Sequence, residues 1–375
     1  MYNFSFYNPV KSEVGKGKHL EVGRISKGQK IMLVSDNVIA SMPFYFKIKE
    51  ILGNRVSSEY TEVVPNPEVD NIDRAIEVAV KHRADCIIGI GGGSVLDASK
   101  MLAMAALNGG SSKEYLLGKR KIGEKRLPLI LCPTTAGTGS EVTNVAVIGD
   151  HSTNTKLSLC SSAFYADISL IDPLLMETAP SKIIAAAGID VLMHAVECYW
   201  NKNSTPVSDA LAMYAIKLVV ENLEKSYAKE EEANEQMAIA SYIAGLAFNQ
   251  TRTTAAHACG MLLTFYYGID HGPACALTLV PLMKYNYEDP SAKEKLDVLS
   301  KYCGYCNGLE LTNKFSSILE TTKIPTKLSQ YNIPEDAVQK IADAAVNGGY
   351  SGITKLNPRE VSYAAMVQIL SSIYD

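Results

Sequence analysis

The sequence lacks the features that mark specialised environments. Its 36 basic and 40 acidic side chains give a net charge of −4, and no Lys/Arg run forms a basic stripe for nucleic acid or an anionic membrane surface. No apolar run approaches the ~20 residues of a membrane span. The opening Met-Tyr-Asn-Phe-Ser-Phe-Tyr has neither the charged start nor the apolar core of a signal peptide. Eight cysteines show no framework spacing, which predicts reduced thiols and a cytoplasmic protein. Cys303 and Cys306 form the single Cys-x-x-Cys, without the second pair that a structural zinc requires. No internal repeat or low-complexity linker is present. What remains is ordinary: 47% hydrophobic and 20% charged residues over 375 positions, enough for two domains with their own cores.

The first half alternates. Strands are predicted over residues 30–35, 62–64, 85–90 and 127–132, and helices over 40–51, 70–83 and 91–106. Strands separated by helices of this length imply a parallel sheet covered on both faces. After Asp172-Pro173 the strand-like runs stop. Helical periodicity then covers 209–223, 232–248, 257–265 and 292–303. Asn357-Pro358-Arg359-Glu360 reads as the cap of a last helix over 357–373. The expected domains are 1–178, α/β, and 179–375, all-α.

Two loops of the first domain carry chemistry. Gly91-Gly92-Gly93-Ser94 follows a strand and opens a helix, so backbone N–H groups and a helix N-terminus can face a ligand. It is not the Rossmann Gly-x-Gly-x-x-Gly, and from these residues alone a pyrophosphate cradle and a plain tight turn stay equally open. Residues 133–143 are rich in hydroxyls and free of large side chains, as Pro-Thr-Thr-Ala-Gly-Thr-Gly-Ser-Glu-Val-Thr. Two such loops on one sheet favour a dinucleotide crevice. Asp36, just past the first strand, suits a ribose diol and would repel a 2′-phosphate, which favours NAD over NADP.

In the second domain, residues 187–199 read as a helix with Ile189, Leu192, Met193 and Val196 on one face. Asp190 and His194 lie four apart and project from neighbouring turns. They can supply half of a four-ligand divalent-metal site. His257 and His271 are candidates for the other half.

The glycine loop with Asp97 and Lys100, Pro-Thr-Thr-Ala-Gly-Thr, Ala-Gly-Ile-Asp-x-x-x-His-Ala-x-Glu and His271-Gly272-Pro273 occur in this order along the chain. Together they resemble the iron-dependent (group III) alcohol dehydrogenase family over nearly the whole length. The resemblance implies a Rossmann-like parallel α/β domain plus an all-α domain, the dehydroquinate synthase-like architecture. It implies one divalent metal held by Asp190, His194, His257 and His271, iron by family habit and zinc in some relatives. Such a donor set contains no soft sulfur and does not choose between the two. It implies NAD bound by Asp36, Asn66, Gly92, Gly93, Ser94, Asp97, Thr134, Thr135, Thr138, Thr143 and Lys156, and a homodimer or larger homo-oligomer.

Two departures from the family pattern stand out. Relatives often carry a histidine four residues after the third ligand, where this chain has Met261, so the proton donor is unassigned. The run before His257 reads Arg252-Thr253-Thr254, where relatives acting on simple alcohols are small and apolar. A guanidinium fork suits an oxyanion; an arginine paired with a nearby acid is the structural alternative. With Asn144 and Thr254, Arg252 resembles the substrate side of the branch reducing sulfoacetaldehyde, or next phosphonoacetaldehyde. The rivals are a general short-chain alcohol or diol dehydrogenase, a dehydroquinate synthase-like lyase, and a metal- or NAD-sensing protein.

Overall fold

The structure is a computed structural model that describes residues 3–153 and 155–375. Two compact units emerge. One comprises Asn8–Thr135 with Gly139–Ala179; the other comprises the first residues through Tyr7, Ala136–Thr138 and Pro180–Asp375.

The first unit is built on strands β1 (Lys11–Val14), β2 (Ile31–Val34), β3 (Val56–Tyr60), β4 (Cys86–Gly91), β5 (Leu129–Pro133), β6 (Val145–Asp150), β7 (Thr155–Cys160) and β8 (Ile168–Ile171). Six form one sheet in the order β1-β8-β5-β4-β2-β3, every pairing parallel. β6 and β7 form a separate antiparallel pair. Successive side chains of a strand point to opposite faces, and the two cores follow that alternation. Met32, Val34, Ile87, Leu129 and Leu131 pack on one face with Ile72, Leu96 and Met101. Ile31, Leu33, Ile88, Ile90, Ile130 and Cys132 pack on the other with Val22, Tyr45 and Ile48. Burial on both faces is why these strands read as unbroken apolar runs.

The order has a functional consequence. From β2 the chain moves outward to β3 on one side, and from β4 to β5 on the other. The crevice beyond the carboxyl ends of β2 and β4 is therefore a topological switch point, where open α/β sheets bind ligands. Asp36 follows β2, and Gly92 follows β4.

Several sequence expectations are corrected. The strand expected over 62–64 is Val56–Tyr60 instead; as an edge strand it carries Ser57, Ser58 and Glu59, which hide it from a hydrophobicity reading. Two helices, Asn37–Ala40 and Pro43–Leu52, replace the single one over 40–51, because Met42 is extended and Pro43 restarts the helix at its first turn. β1, β6, β7 and β8 went unread.

In the second unit, no strand follows Ile171 among the described residues. Ser181–Trp200, Pro206–Tyr227 and Glu231–Thr251 are its long helices, followed by Ala255–Tyr267 and His271–Ala276. Ser181–Trp200 is long and apolar enough to cross a membrane by composition, an exception to the expectation of no such run; its most apolar 18-residue stretch has mean hydropathy 1.4 and is 78% buried, as in a core helix. At Gly188 a Cβ would meet Leu223 Cδ1 at 2.2 Å, so glycine permits the close approach of the first two long helices. The last helix is Tyr363–Ser371, capped by Ser362. Asn357 does not cap it: fully buried, its Nδ2 donates to Asn286 Oδ1 and to the Arg359 carbonyl, both at 2.7 Å. A tertiary amide pair has overridden a local capping preference.

Candidate metal centre and cofactor-binding loops

Asp190, His194 and Glu197 occupy one face of the Ser181–Trp200 helix, at spacings of four and three. The beginnings of Ala255–Tyr267 and His271–Ala276 bring His257 and His271 to that face within the same unit. Asp190 Oδ1 lies 3.9 Å from His257 Nε2 and 3.9 Å from His271 Nε2. The His194 ring lies between its neighbours, 4.2 Å from Phe248 in a parallel stack and 4.6 Å from the His257 ring; its Nδ1 is 3.7 Å from Asp190 Oδ2. Donor atoms of Asp190, His257, His271 and Cys275 all lie within 4.8 Å of one another. His194 stands one ring outside that group. Cys275, one helical turn after His271, lies beside the expected ligands, and nothing local in the sequence marks it.

The residues fit a divalent cation. Asp190 Oδ1, His194 Nδ1 and His257 Nε2 are buried with no hydrogen-bond partner, and leaving such groups unmade costs about 1–3 kcal/mol apiece. Burial pushes the Asp190 carboxyl above the ordinary aspartate range, with His271 and His257 pulling against it. Burial likewise pushes His194 well below the usual histidine range. A cation placed among them would stabilise the ionised Asp190 carboxylate and accept the lone pair of the neutral His194 ring.

Glu197, absent from the sequence-derived site, holds the cluster from behind. One carboxylate oxygen accepts from His257 Nδ1. The other accepts the N–H groups of Thr254 and Ala256 at 3.0 Å each, and the Thr254 hydroxyl. Glu197 thus caps the N-terminus of the Ala255–Tyr267 helix from a neighbouring helix. Burial opposes the charge, but His257 and Thr254 outweigh it and hold the carboxyl below the ordinary glutamate range. With Nδ1–H donated to Glu197, the His257 Nε2 lone pair is left for a metal, the usual carboxylate–histidine arrangement. The signal was available: Glu197 ends the Asp-x-x-x-His-Ala-x-Glu run at the next position of the same helix face.

Thr254 requires correction as a substrate contact. It is fully buried, its hydroxyl donating to Glu197 and accepting from Trp200 Nε1 at 2.9 Å. Arg252 ends the Glu231–Thr251 helix at φ 73, ψ 178, a backbone region almost reserved for glycine. Met261 is 5% exposed, on the Ala255–Tyr267 helix.

In the first unit, Gly92 precedes the Gly93–Asn108 helix without any side-chain cap, leaving its first N–H groups for a ligand. A Cβ at Gly91 would meet Val95 at 2.5 Å, whereas at Gly92 it would meet only Thr135, at 3.5 Å. Close packing requires the first glycine; the second leaves room for a ligand. The Thr134 hydroxyl is buried and unpartnered at the end of β5. Asn66, Ser94 and Lys156 come together: Asn66 N donates to Ser94 Oγ at 3.1 Å, and Lys156 Nζ to Asn66 Oδ1 at 2.9 Å. Asp36 Oδ1 caps a short helix through Val38 N and Ile39 N. These features fit a dinucleotide.

Two expected cofactor contacts do other work. Asp97 accepts from Ser140 Oγ at 2.6 Å and from Val147 N at 2.9 Å. The Thr143 hydroxyl accepts from Lys100 Nζ at 3.0 Å and is 2% exposed. Lys100, fully buried, also donates to Ser140 Oγ and the Val145 carbonyl, and burial lowers it to about 8 against the pull of Asp97. Asp97, Lys100 and Thr143 therefore fasten the hydroxyl-rich loop and the start of β6 to the Gly93–Asn108 helix. Of the remainder, Thr138 belongs to the helical unit with Ala136 and Gly137. Asn144 accepts from Cys160 Sγ at 3.4 Å in the sheet unit, so it is not in the same unit as Arg252.

Comparison with known proteins agrees. Residues 9–173 match the iron-containing alcohol dehydrogenase model, and residues 184–374 match the C-terminal model of the Fe-containing alcohol dehydrogenase family. A long-chain-alcohol dehydrogenase of Geobacillus thermodenitrificans is 34% identical over 87% of this chain and 85% of its own. A sulfoacetaldehyde reductase of Bilophila wadsworthia is 31% identical over 93% of this chain and 92% of its own. The crystal structure of a sulfoacetaldehyde reductase from Bifidobacterium kashiwanohense in complex with NAD+ superposes with a TM-score of 0.94 at 29% identity, covering 100% of this chain and 99% of the other. With matching models over both units and a metal-ready cluster in place, the chain belongs to the iron-containing alcohol dehydrogenase family, as a metal-dependent alcohol dehydrogenase or reductase.

Proposed function

We propose that this chain is an NADH-linked reductase of a small aldehyde bearing an anionic group, with sulfoacetaldehyde, reduced to isethionate, as the first substrate and phosphonoacetaldehyde as the second. The observation that carries the reading is the position of Arg252. It occupies a backbone conformation costing about 1–3 kcal/mol for a residue other than glycine. It also precedes, by two residues, the Thr254 that docks on Glu197 behind His257. Retaining an arginine where glycine is favoured argues that the guanidinium is used, and a planar fork of donors suits a sulfonate or phosphonate. Two sulfoacetaldehyde reductases among the similar proteins support the same substrate class.

In this reading Asp190, His194, His257 and His271 hold the divalent ion, which when bound supplies positive charge against the carbonyl oxygen being reduced. Glu197 keeps His257 in the tautomer that presents Nε2. The uncapped N-terminus after Gly92, Thr134 and the Asn66–Ser94–Lys156 group take the dinucleotide, and Asp36 Oδ2 takes the adenosine ribose. Arg252 orients the anionic end of the aldehyde.

The test is a substrate comparison. Arg252→Ala should lower kcat/KM for sulfoacetaldehyde about 100-fold, the order expected for losing a charge-assisted contact of ~3 kcal/mol, and leave propanal almost unchanged. Equal losses on both would refute the anion clamp. Arg252→Gly should show the same selective loss with an unchanged or raised Tm, because glycine relieves the backbone. The second reading, a general short-chain alcohol dehydrogenase, is favoured by the 34% identity to a long-chain-alcohol dehydrogenase; it predicts no discrimination between the two aldehydes.

A further inference from the structure

The end of the helix that carries the metal ligands also grips the turn that carries Arg252. Glu197, Trp200 and Asn201 follow one another at spacings of three and one, so all three side chains leave the same side of the helix end. Glu197 and Trp200 both fix Thr254. Asn201, 3% exposed, holds the residue two positions earlier: its Nδ2 donates to the Arg252 carbonyl at 3.0 Å. The same carbonyl accepts from the Thr251 hydroxyl at 2.8 Å, and the Arg252 N–H donates to the Phe248 carbonyl at 2.8 Å.

These bonds explain how Arg252 stays at φ 73, ψ 178. A side-chain-bearing residue keeps such a conformation only where its surroundings over-determine it. Both backbone polar groups of Arg252 are engaged, and two donors converge on its carbonyl. Released from them, the residue would relax to an ordinary backbone region, and the long side chain would carry its guanidinium away with the turn. Asn201 is oriented for the task. Its Oδ1 accepts from Asn203 N at 2.8 Å, which leaves Nδ2 as the end facing Arg252.

We propose that Asn201 is a positioning residue for Arg252, and through it a determinant of the preference for aldehydes with an anionic end. Asn201 acts on the Arg252 backbone and not on the aldehyde. The inference rests on the anion-clamp reading and adds to it the residue that holds the clamp in place.

Asn201→Ser tests it. The serine hydroxyl can still accept from Asn203 N in the local turn, but it is shorter than the amide and gives up the Arg252 carbonyl. Its kcat/KM for sulfoacetaldehyde should fall about 10-fold, part of the ~100-fold expected for removing the guanidinium, and chiefly through KM. Propanal turnover and bound metal should hold. Thr251→Val, which removes the other donor and keeps the shape, should move the ratio of the two aldehydes in the same direction. In an Arg252→Gly background neither change should alter that ratio, because no guanidinium is left to place.

Equal losses on both aldehydes from Asn201→Ser, or a further selective loss in the Arg252→Gly background, would show that Asn201 serves the fold and would overturn the proposal. Wild-type KM for sulfoacetaldehyde in Asn201→Ser, beside a selective loss in Arg252→Ala, would overturn it too and leave the anion clamp standing. No selective loss in Arg252→Ala would remove the clamp itself, and the role of Asn201 with it.

Discussion

Gly272 lies so close to Ala186 that a Cβ on it would sit 2.1 Å from the Ala186 carbonyl oxygen and 3.0 Å from Asp190 Cβ. The first atom belongs to helix backbone and cannot rotate away. The glycine after His271 is therefore a packing requirement of the metal centre: it lets the His271–Ala276 helix rest on the helix that carries Asp190.

Gly272→Ala should accordingly cost about 2–3 kcal/mol or more, as overpacking against backbone does, and should lower bound metal by displacing His271. Gly352→Ala is the control, since nothing lies within 4 Å of its added Cβ; it should leave Tm level or slightly higher. Thermal melts with metal analysis check both. A Gly272→Ala protein with wild-type Tm and full metal content would contradict the packing argument.

Glu197 acts through His257. Glu197→Gln keeps the shape but removes the charge that favours the Nδ1–H tautomer, so metal affinity should fall about 10–100-fold with little change in fold. Thr254→Val strips the hydroxyl from Glu197 and leaves the buried Trp200 N–H without an acceptor, costing roughly 1–3 kcal/mol of stability. Thr254→Ser should restore most of it. Competition against a chelator measures the first, denaturant unfolding the second. If Thr254→Val altered KM for the aldehyde while stability stayed intact, the threonine would return to the substrate side.

Glu141 gives a pH signature. Burial raises its carboxyl from 4.5 to about 7, with Lys100 opposing. Its folded-state value lies above its unfolded one, so the folded protein binds the extra proton between these limits. The associated stability is full below pH 4.5 and disappears as pH rises through about 7. Glu141→Gln cannot lose it. Between those limits the wild type should lose roughly 3 kcal/mol relative to the variant, read from denaturant unfolding at several pH values. Parallel stability curves for the two proteins would show that Glu141 titrates normally.

Sequence alone determined what is local. The unbroken apolar runs of β2, β4 and β5 and the Asp190–His194 spacing depend on residues a few positions apart, which local chain geometry turns into buried strands and a shared helix face. The glycine turn before Ser94 was legible for the same reason, because strand, turn and helix are contiguous. Tertiary structure decided the rest. Polar β1 and β3 become strands only through their neighbours in the sheet, and Asn357 left its expected cap for Asn286. Thr143 was drawn to Lys100 rather than to a ligand, because a buried ammonium must fill its donors wherever acceptors lie. Cys275 came to lie beside the ligands because Gly260 brings two helices together, and no spacing rule along the chain encodes that approach.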